Sequence, residues 1–150
     1  MLESGIWTWL LLGFGVITFL PLMVAQMIMI LYPGESKASD LIVAKGETWR
    51  DKTHFRSALA FAWADWLVLF PLFIGGGLGI WWGQTWGLIL WLSLGILAVY
   101  FSIIFWVMEK EVVYPSYGPW AYYTYFWGFF LYWGIAAIVV TSWQLARLSQ

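Results

Sequence analysis

Cysteine is absent from this chain of 150 residues, and it contains a single histidine. The missing cysteines exclude disulfides, thiolate metal sites and cysteine nucleophiles, and one histidine excludes a bis-histidine haem site within one chain. Charge is also scarce, because 10% of the residues are charged against about 25% in soluble domains. A net charge of −1 with seven basic residues provides no basic patch for nucleic acid. The composition therefore excludes a soluble domain and a nucleic-acid partner.

Long apolar runs are the main feature that is present. Hydrophobic residues make up 63% of the chain, and a helix needs about 20 mostly apolar residues to cross the hydrocarbon core. Four runs reach this length: residues 6–32, 57–80, 87–108 and 121–143. The sequence predicts an all-α integral membrane protein with one transmembrane domain over residues 1–150. We expect a four-helix bundle with short connections, except for a polar first loop.

Basic residues lie mainly on one side of the predicted bundle. All except Arg147 are in or beside the connections between helices 1 and 2 and between helices 3 and 4. Because basic residues favour the cytoplasmic side, we expect both connections in the cytoplasm and both termini outside. A bacterial-type inner membrane is the expected location. The three tryptophans in the turn at residues 81–86 would then lie at the outer interface, which suits their amphipathic rings.

Asp65 is the one charged residue inside the four predicted spans. It follows Arg56 by nine residues, and this spacing places it roughly 14 Å into the membrane at 1.5 Å per residue. An ionisable group at that depth is costly and is a functional-site hypothesis by default. Three interpretations are open: a polar latch between helices, a group that transfers a proton or binds a ligand, and a residue at a lipid or subunit interface.

Polar residues at a similar depth on the other helices are candidate partners of Asp65. On the same estimate Tyr100 and Tyr132 lie roughly 12 and 16 Å deep, and Gln26 lies roughly 9 Å deep. A tyrosine hydroxyl or the Gln26 amide could form a hydrogen bond with the carboxyl group. Trp66 flanks Asp65 in the sequence and is a further candidate for the ligand site.

Glycine is concentrated in the second half of helix 2, after Pro71. Pro71 has no N–H and leaves the carbonyl of Leu67 without its usual partner. Small residues that we expect to pack against neighbouring helices are Ala62, Gly75, Gly79 and Gly83. The four-residue glycine spacing is typical of close helix packing, and a hinge beside a binding site is the alternative.

Helix 4 carries the densest group of aromatic residues. An interfacial belt accounts for the first of them, but not for those that reach the membrane centre. One face at helical spacing holds Tyr125, Gly128, Phe129, Tyr132 and Ala136. This face predicts either plain packing, a surface for a flat apolar ligand, or a site for an organic cation with Asp65 as its counter-charge.

Charged and polar residues also gather at the expected cytoplasmic rim: Arg50, His54, Glu109 and Glu111. His54 has an ordinary pKa near neutrality, so with either glutamate it could form an acid–base pair or a weak metal site. Anchoring at lipid headgroups is the alternative for the same residues. The spacing requires no metal ion, and no cofactor is predicted. Asp51 or Thr53 is expected to cap helix 2.

Binding is the function that these features favour. We expect a small protein of the lipid bilayer that holds an apolar, aromatic or lipid-like ligand, or a neighbouring membrane subunit, against helices 2 and 4. A homo-oligomer or a membrane complex is the expected assembly. One alternative is a proton-coupled small-molecule transporter that acts as a dimer. Another is a membrane-embedded enzyme that acts on a lipid-like substrate.

Overall fold

The computed structural model describes residues 5–43, 45–109 and 128–148. Regular structure in these residues is entirely helical. Within these ranges, four helices are long and apolar enough to cross a membrane, which confirms the number predicted from the sequence. In chain order the elements are α1 (Ile6–Leu31), α2 (Ser36–Ile42), α3 (Lys52–Ala64), a π-helical turn (Asp65–Leu69), α4 (Phe70–Trp81), α5 (Thr85–Glu109) and α6 (Gly128–Leu148).

The second span begins at Lys52, earlier than the predicted start at residue 57, because Asp51 caps it. The Asp51 side chain accepts hydrogen bonds from the backbone N–H groups of His54 and Thr53, at 2.9 and 2.6 Å. These bonds favour the charged carboxylate and hold the pKa of Asp51 below its ordinary value of 3.8. Of the two predicted caps, the structure therefore confirms Asp51.

The last helix extends beyond its predicted end at residue 143. The structure describes α6 from Gly128 to Leu148, and residues 121–127 of the predicted helix lie outside the described part of the chain. The sequence after residue 143 is Gln-Leu-Ala-Arg-Leu. All five residues are strong helix formers, so the helix continues after the most apolar stretch has ended.

The span Lys52–Trp81 contains one irregular turn. Residues Asp65–Leu69 are π-helical, and the N–H of Phe70 donates to the carbonyl of Asp65. Pro71 accounts for this irregularity, since it has no N–H and its ring would clash with the carbonyl four residues before it. A π-turn widens the helix locally and is often found at functional sites. Asp65 is the first residue of this turn.

The chain packs as two units, one formed by Met1–Thr18 with Leu72–Gln150 and the other by Phe19–Pro71. In the core of the first unit, three aromatic rings pack together. Phe73 stacks on Trp91, and Trp133 meets both rings edge-on, with all three centroid distances at 6.1 Å. The indole N–H groups of Trp91 and Trp133 donate to the backbone carbonyls of Phe73 and Leu11, each at 3.0 Å. Both buried tryptophans thus satisfy their polar groups within the protein.

Glycines allow the helices of the first unit to approach closely. A Cβ at Gly134 in α6 would lie 2.8 Å from the carbonyl oxygen of Gly95 in α5. A Cβ at Gly79 in α4 would lie 2.7 Å from the Cα of Gly87 in α5, and one at Gly75 would lie 3.3 Å from a Leu90 methyl group. Among the predicted packing glycines, Gly83 instead lies in the turn after α4, with φ +68°.

The second unit contains the end of α1, the short helix α2 and the start of the second span. Met29, Ala38 and Ala62 are fully buried in one apolar cluster, and Trp49 packs against it. The polar first loop therefore does not extend freely, because α2 and Trp49 cover α1 and α3. We call Ala38 and Trp49 the loop cover.

Candidate functional site

Gln26 and Asp65 form a buried polar pair in the second unit. The side-chain amide Nε2 of Gln26 donates a hydrogen bond to Oδ2 of Asp65 at 3.0 Å, and each residue is 6% exposed. This orientation of the amide suits an ionised Asp65, because the opposite one would place Oε1 against a carboxylate that has no donor. Within the described part of the chain, no cationic side chain forms an ion pair with Asp65.

In this hydrogen bond the Gln26 amide uses its nitrogen but not its oxygen. Its Oε1 atom is buried and has no hydrogen-bond partner, and the same holds for the indole Nε1 of Trp66. A buried polar group without a partner costs about 1–3 kcal/mol, and such groups are rare in native structures. The pair therefore has a free acceptor on the amide group that already contacts the carboxylate.

The apolar cluster of the second unit adjoins the polar pair along both helices. Met29 follows Gln26 by three residues, and Ala62 precedes Asp65 by three, so each lies about one turn away on the same helix face. Met29 and Ala62 pack together beneath Ala38. The antiparallel helices α1 and α3 are therefore in apolar contact one turn from the polar pair, and Ala38 covers that contact. The loop cover thus lies one turn beyond the Gln26–Asp65 pair.

Two aromatic residues that follow Asp65 in its own span pack against each other. The rings of Trp66 and Phe70 meet edge-on, with centroids 5.2 Å apart. Phe70 is buried and is the residue whose N–H closes the π-turn on Asp65. The π-turn and the aromatic pair therefore belong to one local structure that begins at the carboxylate.

The predicted tyrosine partners belong to the other packing unit. Tyr100 and Tyr132 are 57% and 52% exposed, and Phe129 also lies on an exposed face of α6. The buried residues of α6 are Gly128, which belongs to the predicted face, and Trp133, Gly134, Ala137 and Thr141, of which none does. Tyr125 lies outside the described residues. The rotation of α6 follows from the Trp133 hydrogen bond to Leu11 and from the close approach of Gly134 to α5.

The rim residues form a local structure around His54. The backbone N–H and the side-chain Nε of Arg50 both donate to Nδ1 of His54, each at 3.4 Å. The Trp49 ring lies edge-on to the imidazole at 5.3 Å. Glu109 ends α5, and Glu111 lies outside the described residues. Where the structure describes the chain, no group of three or more His, Asp or Glu side chains could hold a metal ion.

Several polar contacts that organise the first unit were not predicted from the sequence. Trp91 and Trp133 donate to backbone carbonyls, and Gln144 donates to the Thr8 hydroxyl at 2.7 Å. The close approach of Gly95 and Gly134 did have a signal in the sequence, since each glycine has an alanine three residues later. Indole-to-carbonyl bonds have no comparable pattern because any backbone carbonyl can accept them.

No protein-family model, curated protein or solved structure matches this chain. The chemistry of the site itself is therefore the basis on which its function is proposed.

Proposed function

We propose that this chain is an integral membrane protein, a four-helix transmembrane bundle, that binds an apolar or lipid-like ligand by its polar group at Asp65 and Gln26. One observation carries the proposal: a buried carboxylate is paired with an amide whose Oε1 atom has no partner. A ligand that reaches this point would complete the hydrogen bonding and gain an apolar environment for the rest of its body.

The free acceptor favours binding over a simple latch between helices. A latch is most stable when each buried polar group has its partner, because partly satisfied networks in an apolar setting are costly. Gln26 departs from this arrangement while it is almost fully buried. The π-turn supports the same conclusion, since such turns are frequent at functional sites.

The distribution of charge supports a definite topology. We place the loop between α1 and α3 in the cytoplasm and both termini outside, in a bacterial-type inner membrane, on the basis of the positive-inside rule. The exposed apolar side chains of α5 and α6, including Tyr100, Phe129 and Tyr132, would then face lipid or a neighbouring subunit. In this orientation the loop cover separates the polar pair from the cytoplasm.

A photo-crosslinking experiment tests the binding proposal. The protein is reconstituted in nanodiscs of phosphatidylcholine and labelled with a dodecyl amphiphile that carries a diazirine and a polar head group. We expect saturable labelling of peptides that contain Gln26 or Asp65, and loss of that labelling in Asp65→Asn. The matched control is Gln144→Leu, which removes a different amide whose buried Oε1 atom also has no partner. Labelling that is unsaturable, or unchanged by Asp65→Asn, would contradict the proposal.

Proton-coupled transport is a second candidate function, favoured by the neutral partner of Asp65. Its partner in the described part of the chain is an uncharged amide, so Asp65 can gain or lose a proton without breaking an ion pair. The prediction is proton movement coupled to substrate in liposomes. Coupling that persists in Asp65→Asn would exclude this function.

A further inference from the structure

We infer that the ligand held at Asp65 and Gln26 carries a primary or secondary ammonium group on an apolar body. This inference rests on the proposed function and specifies its ligand class. It follows from three properties of the pair: its unpartnered hydrogen-bonding atoms are acceptors, Asp65 carries a charge, and Oε1 of Gln26 has no partner.

The polar atoms of the pair that are available to a ligand are acceptors. A carboxylate accepts hydrogen bonds and donates none, and the unpartnered atom of Gln26 is its carbonyl oxygen Oε1. The donor of the pair, Nε2 of Gln26, is already bonded to Oδ2 of Asp65. The ligand must therefore donate. Carboxylate, phosphodiester and ketone groups are unsuitable because they would place acceptors against acceptors.

The charge of Asp65 favours an ammonium over a hydroxyl group as the polar group of the ligand. The first span, Ile6–Leu31, holds no charged residue, and Arg56 lies nine residues before Asp65 on its own span, about 14 Å away. A buried carboxylate without a compensating charge is costly in an apolar environment. An ammonium group supplies both the positive charge and the hydrogen-bond donors, whereas an alcohol supplies only a donor. The ammonium group is therefore the better complement to the pair.

The free oxygen of the Gln26 amide favours binding of a primary ammonium over a quaternary one. A primary ammonium has three N–H donors, so it can bind Oε1 of Gln26 and the Asp65 carboxylate together. A trimethylammonium group has the same charge but no N–H, and it would leave Oε1 buried without a partner. Hydrogen bonds between charged and neutral groups are stronger than neutral ones, so this difference is measurable as a difference in affinity.

Four photo-crosslinking probes with one dodecyl chain and one diazirine test the inference. Their head groups are primary ammonium, trimethylammonium, hydroxyl and sulfate. The lipid is phosphatidylcholine, which contains no primary amine, and labelling of empty nanodiscs corrects for partition. We expect the ammonium probe to bind about tenfold more tightly than the hydroxyl and trimethylammonium probes, a difference of about 1.4 kcal/mol for each. The sulfate probe should not label the site.

Two variants locate the cause of this selectivity. Asp65→Asn should abolish the preference for ammonium over hydroxyl, and Gln26→Leu should abolish the preference for primary over trimethylammonium. Gln144→Leu should leave both preferences unchanged. Because the probe ranking is measured on the unaltered protein, the inference can be tested even if a variant fails to fold.

The outcomes separate this inference from the proposed function. If the hydroxyl probe equals the ammonium probe while Asp65→Asn weakens both, the ammonium assignment is wrong and intramembrane binding stands. If the trimethylammonium probe binds as tightly as the primary one, the role of Oε1 is wrong. If no probe labels the peptides that contain Gln26 or Asp65, both the inference and the proposed function are wrong.

Discussion

Gln26 of α1 and Asp65 of the π-turn are joined by a 3.0 Å hydrogen bond in which the amide donates to the carboxylate. Thirty-nine residues separate them in the chain, so the bond connects the first span to the second. The carboxylate has a partner in this arrangement, but the amide oxygen does not. We therefore expect both the stability of the fold and the proposed binding to depend on this pair of side chains, and substitutions should separate the two effects.

The Gln26–Asp65 bond should be visible in a double-mutant cycle. Gln26→Leu leaves the carboxylate buried without its partner, so the free energy of unfolding should fall by about 2 kcal/mol, as expected for a hydrogen bond to a charged group. Asp65→Leu in the same background should restore part of the loss, because it removes the unpaired carboxylate. Reversible unfolding in mixed micelles measures all four members of the cycle. Strictly additive effects would show that the two side chains do not interact.

Pro71→Ala should make the π-turn regular. The new N–H can donate to the Leu67 carbonyl, and the ring that disturbs the helix is removed. A regular α-helical turn holds fewer residues than a π-turn, so the change would rotate Asp65 relative to Gln26. We expect amphiphile labelling to fall about tenfold, while the stability of the fold is kept or raised. The matched control is Pro21→Ala, since Pro21 lies inside α1 without a π-turn. Unchanged labelling in a stable Pro71→Ala protein would separate the π-turn from the site.

Gly134→Ala should destabilise the first unit. Its Cβ would lie 2.8 Å from a backbone oxygen of Gly95, and the helices would have to move apart at a cost of about 1–3 kcal/mol. Gly13 is the control, because a Cβ there meets no atom within 4 Å. Gly13→Ala should be neutral or slightly stabilising, by up to about 1 kcal/mol. Equal thermal stability of the two variants would contradict the close packing of α5 and α6.

The first turn of α3 should lose its cap in acid. The pKa of Asp51 is lowered in the folded protein by hydrogen bonds from the His54 and Thr53 N–H groups, so its contribution is complete above the ordinary pKa of 3.8. That contribution is lost as the pH falls through the folded-state pKa. Hydrogen exchange at these two amides, relative to the intrinsic rate, should therefore increase below about pH 4. Asp51→Asn keeps a capping oxygen without the charge, and its exchange should not show this acid-induced step.

The spans and the cap could be predicted from the sequence because they depend on local properties. Run length and charge content determine which segments are apolar enough to cross a membrane, and the position of Asp51 before the second span is a local capping signal. The sequence does not predict the π-turn, although the missing N–H of Pro71 predicts a disturbed hydrogen bond at the carbonyl of Leu67. A helix can accommodate the clash and the missing N–H of a proline by several rearrangements, and the sequence does not indicate which one occurs.

The partner of Asp65 could be predicted only as one of several residues at similar depth. Depth follows from residue counts, but contact also requires that each helix be rotated toward the other. The rotation of α6 depends on Trp133 and Gly134, which contact Leu11 and Gly95. The small residues beside Gly95 and Gly134 indicate close packing without naming the partner helix, and no periodic pattern encodes the hydrogen bond from Trp133 to Leu11. Tyr132 is consequently more than half exposed, whereas Gln26, the shallowest of the predicted partners, forms the observed bond.

Native mass spectrometry of the protein released from mild detergent tests the central claim most directly. We expect a one-to-one complex of the unaltered chain with a molecule that has an apolar body and an ionisable nitrogen. The complex should be absent from Asp65→Asn and retained in Gln144→Leu. A chain that carries no ligand after extraction and addition of the dodecyl ammonium probe, or an adduct retained at full occupancy by Asp65→Asn, would contradict an intramembrane binding site at Asp65 and Gln26.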